Sequence, residues 1–429
     1  INNRLFNEMI KGEKIRFDIY NILYSIYKFN KTLNSQSIQK IINNHKKEDI
    51  AFLNNVILNS MRFHIHSSKI IEKNIKKKLR DKEKILLISA VTQIVFLNFK
   101  EYAVINCTVE IAKKLKIFHG LINATLKNIS KDKQKLKYVS IKYDDLPTWF
   151  KEKTSSLTID QKKIFLNNFN KEPSLHIVFK NKEGLKNFEE SIFKTSDISG
   201  FIAKKNQITK IKSFLKGDWW VQDFSSFFPL QNIQVEKENR KFLDACAAPG
   251  GKSFQLLARN EKVTLNDKSA SRIQILRSNL RRLNFNTKVL NFDFIKFKEQ
   301  EKYDFIIIDA PCSAIGTIRK NPEIFFKNKP PNFYELANLQ KRMLCKASNI
   351  LKVNGLILYM VCSFLKYETE DQINNFLKNH NDFQLHKFNL LSENVKYSKL
   401  IKNNFMITLP DNILDNQIDG FFASFLKRI

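Results

Sequence analysis

Lys241-Phe242-Leu243-Asp244-Ala245-Cys246-Ala247-Ala248-Pro249-Gly250-Gly251-Lys252 joins a short apolar run to a loop of small residues. The run predicts a strand ending in an acid, and a helix should start near Ser253. Small side chains and two glycines let a backbone approach a ligand closely. A helix start behind them offers free N–H groups. The loop has neither the G-x-x-x-x-G-K-[ST] nor the G-x-G-x-x-G spacing.

Working outward, further apolar runs lie at Lys262–Leu265, Lys288–Leu290, Asp304–Ile308, Gly355–Tyr359 and Phe421–Leu426. Helical stretches separate them. This alternation predicts an α/β unit, a parallel sheet with helices on both faces. The second strand ends at Asp267, 23 residues after Asp244, where an acid can bind a ribose diol. The third runs into Asn291-Phe292-Asp293, whose carboxylate could accept from an adenine amino group. Each acid taken singly also reads as a helix cap or a solvated loop residue. Their order after successive strands favours a nucleoside cofactor. Without a phosphate-binding lysine loop, adenosine lacking a triphosphate is the better fit.

The fourth strand runs into Asp309-Ala310-Pro311-Cys312-Ser313, and the fifth into Val361-Cys362-Ser363. Both cysteines therefore leave the same sheet edge and should converge on the cofactor pocket. Cys107 and Cys345, on apolar helical faces, read as small buried hydrophobes, and Cys246 should pack within its loop. A thiol is intrinsically nucleophilic, and Lys252 or Arg319 could raise its thiolate fraction. Methylation at carbon 5 of a pyrimidine needs such a set. A thiolate adding at carbon 6 makes carbon 5 nucleophilic, and Asp309 could bond the ring nitrogen and exocyclic amine of cytosine. The base must leave its stack to enter such a pocket.

The flanking chain bounds the partners. Lys and Arg number 73 against 42 Asp and Glu in 429 residues, a net charge of +31. A polyanion partner is plausible, although an A+T-rich genome would enrich the same residues. Residues 1–135 read as helices, with Ile15, Ile19, Ile22, Leu23 and Ile26 at helical spacing. Lys69 to Lys84 carries eight basic residues against three acids, either a solvated helix face or an RNA-phosphate contact. Residues 136–229 read as a linker and a small α+β domain, and 230–429 as the catalytic domain. Five cysteines without a C-x-x-C pair disfavour a disulfide framework and a zinc site, so no metal is expected. His64 and His66 are expected on the surface or in a loop. Ile85–Phe99 is too short and too interrupted to span a bilayer. With no signal peptide visible, a cytoplasmic protein, without membrane attachment and monomeric, is expected. Because the chain opens on Ile1, an initiator Met is expected upstream.

Together these motifs resemble the RNA 5-methylcytosine methyltransferases of the NOL1/NOP2/Sun family. The runs Asp244–Lys252 and Asp309–Ser313 and the Cys362-Ser363 pair carry the resemblance. Asp309 to Gly316, then Arg319-Lys320-Asn321-Pro322-Glu323-Ile324, is similar to the bacterial Sun (Fmu) branch. Asp419-Gly420-Phe421-Phe422-Ala423 is similar to the family's last motif, and Val221-Gln222-Asp223 to the segment before its catalytic domain. The resemblance implies a Rossmann-like methyltransferase domain preceded by a NusB-like RNA-binding helical domain. It implies methyl transfer from S-adenosylmethionine to a cytidine of 16S ribosomal RNA. Carried over by position, Cys246, Ala247, Ala248, Pro249, Gly250, Gly251, Lys252, Asp267, Asp293 and Asp309 would contact the cofactor or its neighbourhood. Cys362 would be the nucleophile, and Cys312 would help release the product. The family usually has Thr where Val361 stands, and an Arg-containing strand expected near Leu175–Phe179 is missing. Rival readings are a transfer RNA cytosine methyltransferase, against which the helical N-terminal part argues, and a non-catalytic ribosome assembly factor.

Overall fold

Ile15, Ile19, Ile22, Leu23 and Ile26 share one face of helix α1 (Lys11–Phe29), and all five are buried. Helices follow at α2 (Gln36–Asn43), α3 (Lys47–Arg62), α4 (His64–Asn74), α5 (Asp81–Val91), α6 (Glu101–Lys114) and α7 (His119–Lys131). The computed structural model describes residues 11–203, 208–233, 240–296, 298 and 301–429. Its contacts divide the chain into two compact units, one of residues 1–155 with 321–331, the other of 156–320 with 332–429.

The first unit is all-helical. Its core joins the apolar faces of α1, α3, α5, α6 and α7. α5 passes into a π-helical turn at Thr92–Phe96, where buried Gln93 accepts from Arg16 Nε at 2.8 Å. No helix among the described residues is long and apolar enough to cross a membrane. His64 and His66 are not loop residues: both lie on α4, and burial pushes each ring down to about 4, keeping it neutral at pH 7. Among the described residues no group of acids, His and Cys could hold a metal.

The seams of these units differ from 135 and 229. Asp145 pairs with Lys69 at 2.5 Å, and Phe150 packs at 5.0 Å from Phe325, so residues 136–155 belong with the helices. Residues 321–331 join them too: Phe326 lies 5.9 Å from Tyr27 and 5.6 Å from His64. At the other seam, Val178, Phe201 and Trp220 share one core with Phe242 and Phe254.

The second unit opens with α8 (Ile159–Asn168) and a small antiparallel sheet. Its strands are β1 (His176–Phe179), β2 (Ile192–Ser196), β3 (Ser199–Ile202) and β4 (Trp219–Val221), in the order β2-β3-β1-β4. Helix α9 (Phe224–Gln231) leads to the main sheet. There β5 (Lys241–Asp244), β6 (Lys262–Asn266), β7 (Val289–Leu290), β8 (Tyr303–Asp309) and β9 (Leu351–Val361) run parallel in the order β9-β8-β5-β6-β7. The connecting helices are α10 (Gly251–Leu257), α11 (Ala270–Arg282), α12 (Phe333–Ile350) and α13 (Glu370–Asn379).

The sheet is not wholly parallel, as strand–helix alternation suggests. After β10 (Phe383–His386), β11 (Ile401–Lys402) and β12 (Phe405–Thr408), a hairpin of β13 (Asp411–Ile413) and β14 (Asn416–Ile418) reverses the chain. The last strand, β15 (Phe421–Arg428), then enters antiparallel against β9, β10 and β12. A parallel return needs a long crossover, whereas an antiparallel one needs only a turn. The placement matters, because it brings Gly420 to the β9 end.

Phe326 is 2% exposed and sits in the helical core although it is far away in sequence. Phe326→Ala is expected to cost about 3–5 kcal/mol. The measurement is amide exchange in α1 and α4, which should quicken; unchanged protection there would remove residues 321–331 from that core.

Candidate active site

β5 ends in Asp244, whose buried carboxyl accepts from Ser253 Oγ at 2.6 Å and from Cys246 N–H at 3.3 Å. These bonds fold the loop back over the strand end. Ala247 N–H donates to Asn266 O at 2.8 Å, and Asn266 Nδ2 to Ala245 O at 3.1 Å, so β6 holds the loop from the side. Gly250 has φ +119°, and a Cβ there would lie 2.0 Å from the Phe254 ring. Only glycine fits, and the helix starts at once, at Gly251, two residues ahead of Ser253.

The predicted acids gather around this loop. Asp267, 3% exposed, accepts from Ala248 N–H at 3.2 Å and Ser269 N–H at 2.9 Å, and pairs with Arg272 at 3.3 Å. Asp293 pairs with Lys268 at 3.2 Å. Asp309 pairs with Lys252 at 2.7 Å. Burial opposes charge on the Lys252 ammonium, but Asp309, then Asp244 and Cys362, outweigh it and hold its pKa above the ordinary lysine value. The Cys246 thiol is pushed up, first by burial and then by Asp244, Asp309 and Asp267. A thiol ringed by carboxyls packs there rather than reacts.

The chemistry of this donor set fits a cationic nucleoside. Each of three acids holds one cation, instead of the cations clustering as a polyphosphate would require. Arg272 and Lys268 are 51% and 78% exposed, so both can swing away when a ligand brings its own hydroxyls or charge. Ala248 and Pro249 are joined by a cis peptide.

β8 and β9 bring the two cysteines together: Cys312 Sγ lies 3.3 Å from Cys362 Sγ. The Cys312 thiol is pushed well up, chiefly by its hydrogen bond with Cys362, then by burial. Of the two cations expected to assist a thiolate, Lys252 interacts with Cys362. The Arg319 guanidinium is fully buried, donates to Asp411 O and Gln417, and pairs with Asp419 at 3.7 Å. Val361, where the family resemblance leads one to expect Thr, is fully buried in an apolar cluster with Tyr359 and Phe422. Cys107 and Cys345 lie elsewhere, on α6 and α12.

Two features of the site escape sequence reading. Gly316 N–H donates to Cys362 O at 3.0 Å, and Gly420 N–H to Gly316 O at 2.9 Å, so the last motif closes over the cysteine turns. Glu368, fully buried, accepts from both Ser313 and Ser363, the residues after each cysteine. The signal available was the Cys-Ser pair repeated after two strands, with an acid five residues beyond the second.

The family model described as 16S rRNA methyltransferase RsmB/F matches residues 232–427, and the NusB family model matches residues 14–131. The chain is 30% identical over 333 residues to ribosomal RNA small subunit methyltransferase B of Shewanella oneidensis, covering 72% of this chain and 77% of that protein. It is 27% identical to the protein of the same name in Vibrio vulnificus, covering 85% and 90%. Among solved structures, that of PH0851 superposes with a TM-score of 0.70 at 21% identity, covering 98% of this chain and 99% of that one. A methyltransferase homologue from Pyrococcus horikoshii gives 0.53 at 22% identity, covering 66% and 95%. At these identities the structures speak for the fold.

Burial pushes the Asp244 carboxyl up to about 6, against its ordinary 3.8. The folded state thus favours the neutral acid. Its contribution to stability is full below about pH 4 and is lost as pH rises through about 6. The gap corresponds to roughly 3 kcal/mol. Unfolding midpoints measured from pH 4 to 7 should therefore fall less in Asp244→Asn than in the unaltered protein; equal slopes would contradict this assignment.

Proposed function

The chain belongs to the 16S rRNA methyltransferase RsmB/F family, and from that premise we propose that it methylates carbon 5 of a cytidine in 16S ribosomal RNA through a covalent cysteine–cytosine adduct. The observation that carries this reading is the pair of thiols 3.3 Å apart, at the same sheet edge as the carboxyl-lined loop. S-adenosylmethionine, when bound, supplies a methyl group on a positively charged sulfur. Asp267 would hold its ribose hydroxyls and Asp293 its adenine amine. The backbone of Cys246, Ala247, Ala248, Pro249, Gly250, Gly251 and Lys252 would line the rest, with Asp309 facing the transferred group.

Cys362 Sγ forms a bond to carbon 6 of the cytosine, and the electron pair of the 5,6 double bond makes carbon 5 nucleophilic. Asp309 bonds the ring nitrogen and exocyclic amine, stabilising the charge that develops there. Lys252 orients Asp309 through their pair at 2.7 Å. After methylation a base from solvent takes the proton on carbon 5, its bonding pair re-forms the 5,6 double bond, and Cys362 Sγ leaves carbon 6 with the electrons of their bond. Cys312 acts in this release. The alternative assignment is attack by Cys312, whose sulfur lies 3.3 Å from that of Cys362.

The helical unit would supply RNA affinity. The end of α4 and start of α5 enclose a groove of about 640 Å³ lined by Lys76, Lys77, Lys78 and Lys84 around Ile71, Ile75 and Leu79. Ammonium groups beside such a groove suit a phosphate backbone. A cytoplasmic location accompanies a ribosomal substrate.

The decisive experiment is a denaturing gel of each cysteine variant after incubation with 16S RNA and S-adenosylmethionine. Cys362→Ala is expected to yield neither product nor adduct. Cys312→Ala is expected to accumulate a protein–RNA adduct. The reverse pattern would exchange the two roles, and no adduct in either would refute covalent catalysis. For the cofactor, Asp267→Ala should weaken S-adenosylmethionine binding by about 1.5–3 kcal/mol, the worth of a hydrogen bond to a charged group. Unchanged affinity in calorimetry would take Asp267 out of the site.

A further inference from the structure

Ser313 and Ser363 follow the two cysteines, and both converge on one side chain that the reaction does not use. Glu368 Oε2 accepts from Ser313 Oγ and from Ser363 Oγ, each at 2.6 Å. Its Oε1 accepts from Ser313 N–H at 2.8 Å and Gln340 Nε2 at 3.2 Å. The same Gln340 amide donates to Pro311 O at 3.0 Å. Tyr359 of β9 donates its hydroxyl to Glu368 O at 2.8 Å. Glu368, Ser363 and Gln340 are fully buried, and Ser313 is 4% exposed.

A carboxyl taken from water is costly unless donors fill its oxygens. Here every donor is neutral, and three of the four come from the residues next to the thiols. The arrangement is more than filling: Ser313 Oγ and Ser363 Oγ lie 3.3 Å apart, and so do the sulfurs of the neighbouring cysteines. The serines and the thiols form parallel pairs across the gap between the β8 and β9 ends. We propose that Glu368 is a positioning residue: it clamps the two Cys-Ser turns together, so that the attacking and the releasing thiol reach the same cytosine ring. This rests on the covalent reading above, since only a two-thiol reaction needs both sulfurs at one ring.

Glu368→Gln is the informative change. The amide keeps the shape and one accepting oxygen, but its NH2 end cannot accept, so the clamp loses part of its hold. The serine hydroxyls can turn to accept instead, which lets the variant fold. The background is Cys312→Ala, in which adduct accumulates and its rate can be followed. Adding Glu368→Gln should slow adduct formation about 10- to 100-fold, as expected when a reacting group is misplaced by an ångström or less. Affinity for RNA and for S-adenosylmethionine should stay the same, so that the loss falls on the rate at saturation. A fold-wide defect would instead move binding and melting together. An unaltered adduct rate in Glu368→Gln overturns the proposal.

A second measurement needs no RNA. Diamide, a two-electron oxidant, takes up the two thiol hydrogens as Cys312 and Cys362 become a disulfide, which peptide mass spectrometry locates. Glu368→Gln should form that disulfide about 10-fold more slowly or worse, while each thiol still alkylates singly. An equal rate overturns the clamp whatever the reaction is. Conversely, failure of Cys312→Ala to give adduct with Glu368 intact refutes the covalent reading and leaves the diamide arm to judge the clamp. If Glu368→Gln does not fold, Ser363→Ala cuts one arm of the clamp and is read by the same two measurements.

Discussion

One backbone hydrogen bond, from Gly316 N–H to Cys362 O at 3.0 Å, closes the turn after β8 onto the end of β9. Gly316 O in turn accepts from Gly420 N–H at 2.9 Å. A Cβ on Gly316 would lie 1.8 Å from Gly420 O, so three backbones meet where no side chain fits. The approach requires β15 to run antiparallel along β9, which delivers Gly420 to that point. Both thiols, the serines behind them and Glu368 hang from this crossing.

The crossing is flanked by buried charge. Lys320 sits 3.0 Å from Asp223 and 2.6 Å from Asp419, and Arg319 lies 3.7 Å from Asp419. Burial, then Asp223, pushes Asp419 up to about 6, whereas the two acids hold the Lys320 ammonium in its charged form against burial. Removing one member of such a set leaves an uncompensated charge, which is far costlier than the set itself. Asp223 also caps α9 through Ser225 N–H at 2.9 Å. The segment before the main sheet, the Arg319-Lys320 pair and the last motif are therefore one electrostatic unit. That accounts for three dispersed runs of sequence reading as a single signature.

At the cofactor loop the balance is different. Lys252, Lys268 and Arg272 each hold one carboxylate, and two of the three are well exposed. The exposed pairs are weak and screened, whereas Lys252 and Asp309 are drawn in toward the thiols. The site thus separates an adjustable outer rim, suited to a nucleoside, from a stiff inner corner where bonds would form and break.

Much of this was legible along the chain. The isoleucine face of α1, the five parallel strands, the acids at the ends of the first four and the two cysteines on one edge follow from periodicity and from alternation. Both are properties of residues close in sequence. The sense of β15, the membership of Phe326 in the helical core and the burial of His66 were not legible. Each depends on partners far along the chain, as does the clamp of Glu368 on Ser313, 55 residues away. By itself the sequence determined on which edge of the sheet the acids and the two cysteines emerge, because strand direction and spacing are local. Only the tertiary structure decided that Lys252 pairs with Asp309, that the sulfurs lie within contact, and that one buried carboxyl ties their turns. Distances between separate strand ends are set by packing across the sheet, which no run of residues encodes alone.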